Sequence, residues 1–280
     1  MIYLSSITFE DNYKDYLDEF ETSKYGIEFS SGGLKHDENN WSIYEQFQGL
    51  KIIHNYFPGY KKEPFVLNIS SLDTDIKNKS IKHCINSINK TSLFSTEKFF
   101  AVHAGFKLDL KVSDLGNPIE SFSSNNGDEY DKSFEKSIKL LLDHGSNKNV
   151  DIFLENNVLI KENYKGKEIP FYFVESKNII KIFEKFKDYK NFGLLFDTAH
   201  FKVSCNTLGL DIENEFQKIK GYIKAIHHSD NDGNYDSNSE LTKDYWFLKH
   251  MNNFKEIPHV LEVKNISITK IHEQLKLLSL

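Results

Sequence analysis

The sequence predicts an α/β protein built as a closed (β/α)₈ TIM barrel, on three observations. Eight short apolar runs recur along the 280 residues. The stretches between them are long enough for helices, and several carry apolar residues at helical spacing. The longest irregular stretches, 55–72, 104–129, 156–175 and 229–243, each follow a proposed strand, which is the face where barrels build their sites. The length suits one barrel of about 250 residues, and no repeat or linker divides it, so 1–280 is expected to be a single domain. The rival is an open doubly wound sheet, which uses the same alternation.

The runs, in order, are 2–5 (IYLS), 25–29 (YGIEF), 51–54 (KIIH), 99–103 (FFAVH), 150–155 (VDIFLE), 192–197 (FGLLFD), 222–228 (YIKAIHH) and 259–263 (HVLEV). Between them, 73–92 carries Ile76, Ile81, Ile85 and Ile88 on one helical face, with Asp73 placed to cap it. Residues 130–143 carry Phe134, Ile138, Leu141 and Leu142. Residues 176–187 carry Ile179, Ile180, Phe183 and Phe186, with Ser176 as candidate cap; 211–220 and 264–278 supply two more helices.

Apolar residues at 39% and charged residues at 27% allow a large core and argue against disorder. A net charge of -6 without a basic tail gives nucleic-acid binding no support. No segment approaches the 18 apolar residues of a membrane span, and the start lacks the features of a signal peptide. Cys84 and Cys205 form no framework, so a reducing, cytoplasmic setting is expected. Oligomeric state is not legible.

The chemical signal is one of position. His54, His103, Glu155 and Asp197 end the third to sixth runs, His227 lies at the end of the seventh and Glu262 near the end of the eighth. A lone histidine at a strand end is usually structural. Six such groups converging on one mouth would be costly unpaired, and a cation relieves the conflict. Carboxylate and imidazole donors suit Zn, Mn, Co, Fe or Mg. His200, three residues after Asp197, is expected to be a ligand, a support for one or a substrate contact. His228 is out of phase with His227 and should pack outward. The run 229–233 (SDNDG) lacks the spacing of a calcium loop and is expected to close over substrate. No GxxxxGK[ST], GxGxxG or GxSxG occurs.

These residues resemble the xylose-isomerase-like TIM-barrel superfamily, which includes sugar isomerases and epimerases, inosose dehydratases and endonuclease IV. His54-Asn55-Tyr56-Phe57-Pro58 with 66–73 resembles its third-strand region, Val102-His103-Ala104-Gly105 its HxG element, and Leu154-Glu155-Asn156 its fifth-strand glutamate. Phe196-Asp197-Thr198-Ala199-His200 is similar to its DxxH element, His227-His228-Ser229-Asp230 to its HxxD segment, and Leu261-Glu262 to its last-strand glutamate.

The resemblance implies Glu155, Asp197, His227 and Glu262 as metal ligands, with Glu155 and Glu262 also moving protons. It implies His54, His103 and His200 as substrate contacts or further ligands, the latter joined by Asp236. In the endonuclease branch an Asp-x-His pair completes a third zinc site. Here the corresponding run is Asp236-Ser237-Asn238, and asparagine is a poor zinc ligand. The expectation is therefore a metal-dependent isomerase or epimerase acting on a sugar, sugar phosphate or polyol. The alternatives are an apurinic-site phosphodiesterase, an inosose-dehydratase-like lyase and a non-catalytic metal-binding barrel.

Overall fold

A computed structural model of the chain describes residues 1–10, 13–30, 40–59, 64–114, 117–119, 127–164 and 168–278. Parts of the long stretches 55–72, 104–129 and 156–175 lie outside the described residues. Eight strands form one parallel sheet: β1 (Ile2–Ser5), β2 (Gly26–Phe29), β3 (Lys51–Ile53), β4 (Phe99–His103), β5 (Asp151–Glu155), β6 (Phe192–Asp197), β7 (Ile223–His228) and β8 (His259–Leu261). They pair in the order β3-β2-β1-β8-β7-β6-β5-β4. A parallel bridge between His54 and Ala101, with the Asn55 N–H donating to the Ala101 carbonyl at 2.8 Å, joins β3 to β4 and closes the barrel. The open-sheet alternative is thereby excluded.

Eight α-helices are described: α1 (Tyr13–Glu21), α2 (Asn40–Gln46), α3 (Thr74–Phe94), α4 (Gly127–Lys148), α5 (Ser176–Lys185), α6 (Thr198–Leu208), α7 (Ile212–Ile219) and α8 (Ile268–Leu278). Asp73 caps α3 as expected, accepting from the N–H groups of Asp75 and Ile76. Ser176 does not cap α5. It is the first helical residue, and its hydroxyl donates to the Glu215 carboxylate on α7. Apolar periodicity did not point to α6, because TAHFKVSCNTL is apolar or small nearly all round. Its ends define it instead: Asp197 accepts from the His200 N–H at 2.7 Å, and Gly209 closes it at φ +65°.

Period two along the strands sorts the side chains. Leu4, Ile27, Phe29, Ile53, Phe100 and Val102 point outward into the aromatic-rich layer under the helices. Tyr3, Ile52, Ala101, Phe153, Leu195, Ala225 and Val260 fill the barrel interior. Gly26 belongs to that inner layer because the Tyr3 ring takes its side-chain space: a Cβ there would lie 2.3 Å from the ring. Two residues further along each strand, the same inward phase reaches the mouth at Ser5, Glu28, His54, His103, Glu155, Asp197, His227 and Glu262. Polar chemistry thus sits directly on an apolar plug.

Candidate metal centre at the barrel mouth

Local sequence fixes the ends of the strands. The Asn156 side chain brackets Asp197, its Oδ1 accepting from the Asp197 N–H at 2.8 Å and its Nδ2 donating to the Asp197 carbonyl at 2.9 Å. This ties the end of β5 to the end of β6. Asn157 donates from Nδ2 to the Gly105 and Tyr172 carbonyls. Gly105, at φ +85°, turns the chain after His103 where a side chain would meet Asn68. Glu262 lies one residue past β8, where its own N–H donates to the His228 carbonyl at 2.9 Å.

Glu155, Asp197, His227 and Glu262 each bring a donor atom within 4.8 Å of the other three; His54, His103 and Glu155 form a second such group. His227 Nδ1 lies 2.9 Å from Glu262 Oε2, 3.4 Å from Glu155 Oε1 and 3.9 Å from Asp197 Oδ2. His54 Nε2 and His103 Nδ1 approach Glu155 Oε2 to 3.1 and 3.4 Å. Yet His227 Nδ1, Asp197 Oδ2, Glu155 Oε2 and His103 Nδ1 are buried and make no hydrogen bond. Buried polar atoms are nearly always paired. Atoms that crowd together without hydrogen-bond geometry are disposed as ligands sharing a cation, and the N/O donor set fits a divalent ion.

The electrostatics of the protein groups agree. Burial, with Glu262, Asp236 and Glu155 close by, pushes the Asp197 carboxyl up to about 8 even though His200 opposes the shift. Burial works against ionised Glu155, but His103, His54 and His227 hold it well below the usual carboxylate range. Burial likewise opposes charge on His227, and Glu28, Glu262 and Glu155 overcome it, raising it well above the usual imidazole range. His103, by contrast, is lowered to about 4 by burial. A carboxyl driven towards neutrality by burial, and further by three nearby carboxylates, sits where a bound cation would favour its charged form.

The family profile described as "Xylose isomerase-like TIM barrel" matches residues 39–274. The chain belongs to this family. Among solved structures, a D-tagatose 3-epimerase-like protein is similar, with a TM-score of 0.70 and 15% identity over 99% of this chain and 96% of that one. So is the TTHB071 protein of Thermus thermophilus soaked with ZnCl2, at 0.65 and 15% over 99% and 97%. The 3-keto-D-glucoside 4-epimerase of E. coli gives 0.65 and 11% over 99% and 97%. At such identities these likenesses concern the fold. No protein of curated function matches the sequence.

Within this xylose-isomerase-like barrel, the structure brings together every site residue that the sequence singled out. His200 points Nδ1 at the Asn156 carbonyl (2.9 Å) and Nε2 at Asp236 Oδ2 (3.1 Å). Burial opposes charge on His200, but Asp197 and Asp236 raise it well above the usual imidazole range. Asn238 lines the same cavity as Asp236. His228 packs outward as expected, stacked on His259 and bonded to the Tyr245 hydroxyl at 2.9 Å.

Residues 229–233 are not at the cavity. Asn231 donates to the Ala199 carbonyl, Lys202 pairs with Asp230, and Asn206 donates to Gly233, so the run is fastened to α6. The residues that follow, Tyr235, Asp236 and Asn238, reach the cavity instead.

Glu28 was missed. Its Oε2 lies 3.0 Å from His227 Nε2, it is 1% exposed, and it joins His54 and His227 in a third group of donors. The only signal was a carboxylate in the inward phase of the second run, YGIEF.

Proposed function

We propose that the chain is a divalent-metal-dependent isomerase or epimerase acting on a sugar, sugar phosphate or polyol. The observation that carries this reading is the convergence of Glu155, Asp197, His227 and Glu262 on one point at the mouth. A bound divalent cation would supply polarisation of a substrate carbonyl, which acidifies the neighbouring C–H. Asp197 and His227 would hold that cation together with the two glutamates. Glu155 comes from β5 and Glu262 follows β8, so their carboxylates approach a ligand from separate strands. One takes a proton from the substrate carbon, leaving it planar. The other returns a proton to the opposite face of that carbon (epimerisation) or to its neighbour (isomerisation). Glu262, the more accessible of the two, is the better placed to meet substrate. Relatives named as epimerases of free or glycosidic sugars support the reading.

The test is metal content together with solvent exchange. Wild-type protein is expected to hold at least one divalent ion and to exchange a substrate C–H with solvent. Glu262→Gln keeps an oxygen donor but not a carboxylate base, so exchange should fall by about 10²-fold or more while metal is partly retained. Wild-type exchange rates in Glu262→Gln would remove its role.

The group His54, His103 and Glu155 favours a second reading, phosphodiester cleavage by several metals. Against it, no lysine lines the cavity among the described residues, whereas backbone binding to DNA depends on cationic side chains. Incubation with an abasic duplex at low salt decides: no turnover is expected, and cleavage abolished in Glu155→Gln would replace the first reading.

A further inference from the structure

The cavity above the metal-ligand cluster has a volume of about 620 Å³. That is in the middle of the range of about 300–1,000 Å³ found for sites of drug-sized ligands, and generous for a single small sugar. Its floor is polar: His54, His103, Glu155, His200, Asp236 and Glu262. Its upper wall comes from the loops after β3, β4 and β5 and is mainly apolar, with Phe65, Val66, Leu110, Ile119, Ile160 and Phe171 beside a few polar groups such as Asn117 and Asn163. Val66, Leu110, Ile119 and Phe171 pack with Leu159 and Val174 into a small core separate from the barrel's own. The wall is therefore a built surface with its own packing.

Charge is equally one-sided. The charged side chains lining the cavity among the described residues, besides histidines, are the carboxylates of Asp114, Glu155, Asp236 and Glu262. The chain contains no arginine at all. Two lysines of the surrounding segments are engaged elsewhere, Lys107 with Asp131 and Lys202 with Asp230. Among the described residues, a phosphate or carboxylate on the part of a ligand remote from the floor would meet no lysine or arginine, only apolar side chains, the Asp114 carboxylate and neutral groups such as Tyr56, Asn117 and Asn163.

We infer that the ligand is an uncharged carbohydrate derivative with an apolar substituent, of the kind represented by an aryl glycoside, its hydroxyls on the floor and its substituent against the Leu110–Ile119 wall. This rests on the carbohydrate reading above and narrows it.

The experiment is calorimetric titration of the full-length, Mn²⁺-loaded protein. The ligands are phenyl β-D-glycopyranosides, the parent free sugars and their 6-phosphates, in gluco, galacto and manno configurations. The phenyl glycoside of at least one configuration is expected to bind at least about tenfold tighter than its free sugar, the gain of burying a ring, and tighter than the phosphate. Leu110→Asn should remove that gain and leave free-sugar affinity unchanged. Ile119→Thr, a milder change in the same wall, should reduce it and covers the case in which Leu110→Asn folds poorly. Tighter binding of the phosphate, an equal affinity of glycoside and free sugar, or no binding of any of the nine compounds overturns the inference. Proton exchange is measured separately on a keto derivative of the tightest-binding glycoside, whose carbonyl supplies the acidic neighbouring C–H that the glycoside itself lacks: binding without exchange would sink the isomerase reading while the ligand class stands.

Discussion

Glu28 Oε2 sits 3.0 Å from Nε2 of His227, and that contact decides which nitrogen of the ring is free. With Nε2–H donating to the carboxylate, Nδ1 is the nitrogen left to face Glu262, Glu155 and Asp197, and the one that would give up its proton to a cation. Carboxylates behind metal-binding histidines fix the tautomer and the ring orientation in this way.

Glu28→Ala should therefore weaken divalent-metal affinity by about 10–100-fold although Glu28 is not among the four principal ligands. Calorimetric titration with Zn²⁺ or Mn²⁺ reads it. Unchanged affinity in a folded variant would show that His227 needs no help.

Asp197 both faces the cluster and caps α6. Asp197→Asn retains a capping oxygen and should keep the melting temperature near that of the wild type while lowering metal affinity. Asp197→Ala loses the cap as well, at about 1 kcal/mol. Comparing the two by thermal melts and metal titration separates the roles, and equal metal affinity in all three proteins would dismiss Asp197 as a ligand.

Gly26→Ala should destabilise the fold by about 1–3 kcal/mol, because the new methyl must displace the buried Tyr3 ring or the Leu50 carbonyl. Denaturant unfolding measures it. Combining it with Tyr3→Phe should bring no relief, since the collision is with ring carbons and not with the hydroxyl.

His83 is buried on α3 with Nε2–H donating to the Asn55 carbonyl at 3.0 Å, and burial lowers its pKa to about 4. Between the ordinary imidazole value of about 6.5 and this one, the unfolded chain binds a proton that the folded chain refuses. Stability is thus intact above pH 6.5 and falls as the pH drops towards 4, by about 3 kcal/mol at most from this residue. His83→Gln, which keeps a donor for Asn55, should flatten that slope. A wild-type slope in the variant would assign the acid sensitivity to other groups.

The strands and the phase of their side chains are legible in the amino-acid sequence. Apolar runs of four to six residues ending in His54, His103, Glu155 and Asp197, with His227 next to last in the seventh run, specify both an inward row and its polar end, because alternation along a strand is a local property. Helix α3 was legible for the same kind of reason, with Asp73 and its isoleucines only a few residues apart. Helix α6 was not, since its boundaries depend on Asp197 serving as cap as well as strand end.

Which of these groups meet depends on the folded barrel. Glu28 and His227 are 199 residues apart, and Glu155 reaches His54, His103 and His227 only once β3 and β4 have closed the barrel. The same closure sets three loops above the mouth as an apolar wall and ties residues 229–233 to α6 instead of over the site. Distances across a barrel depend on strand order and stagger, which the pairing of the whole sheet sets and no local pattern records.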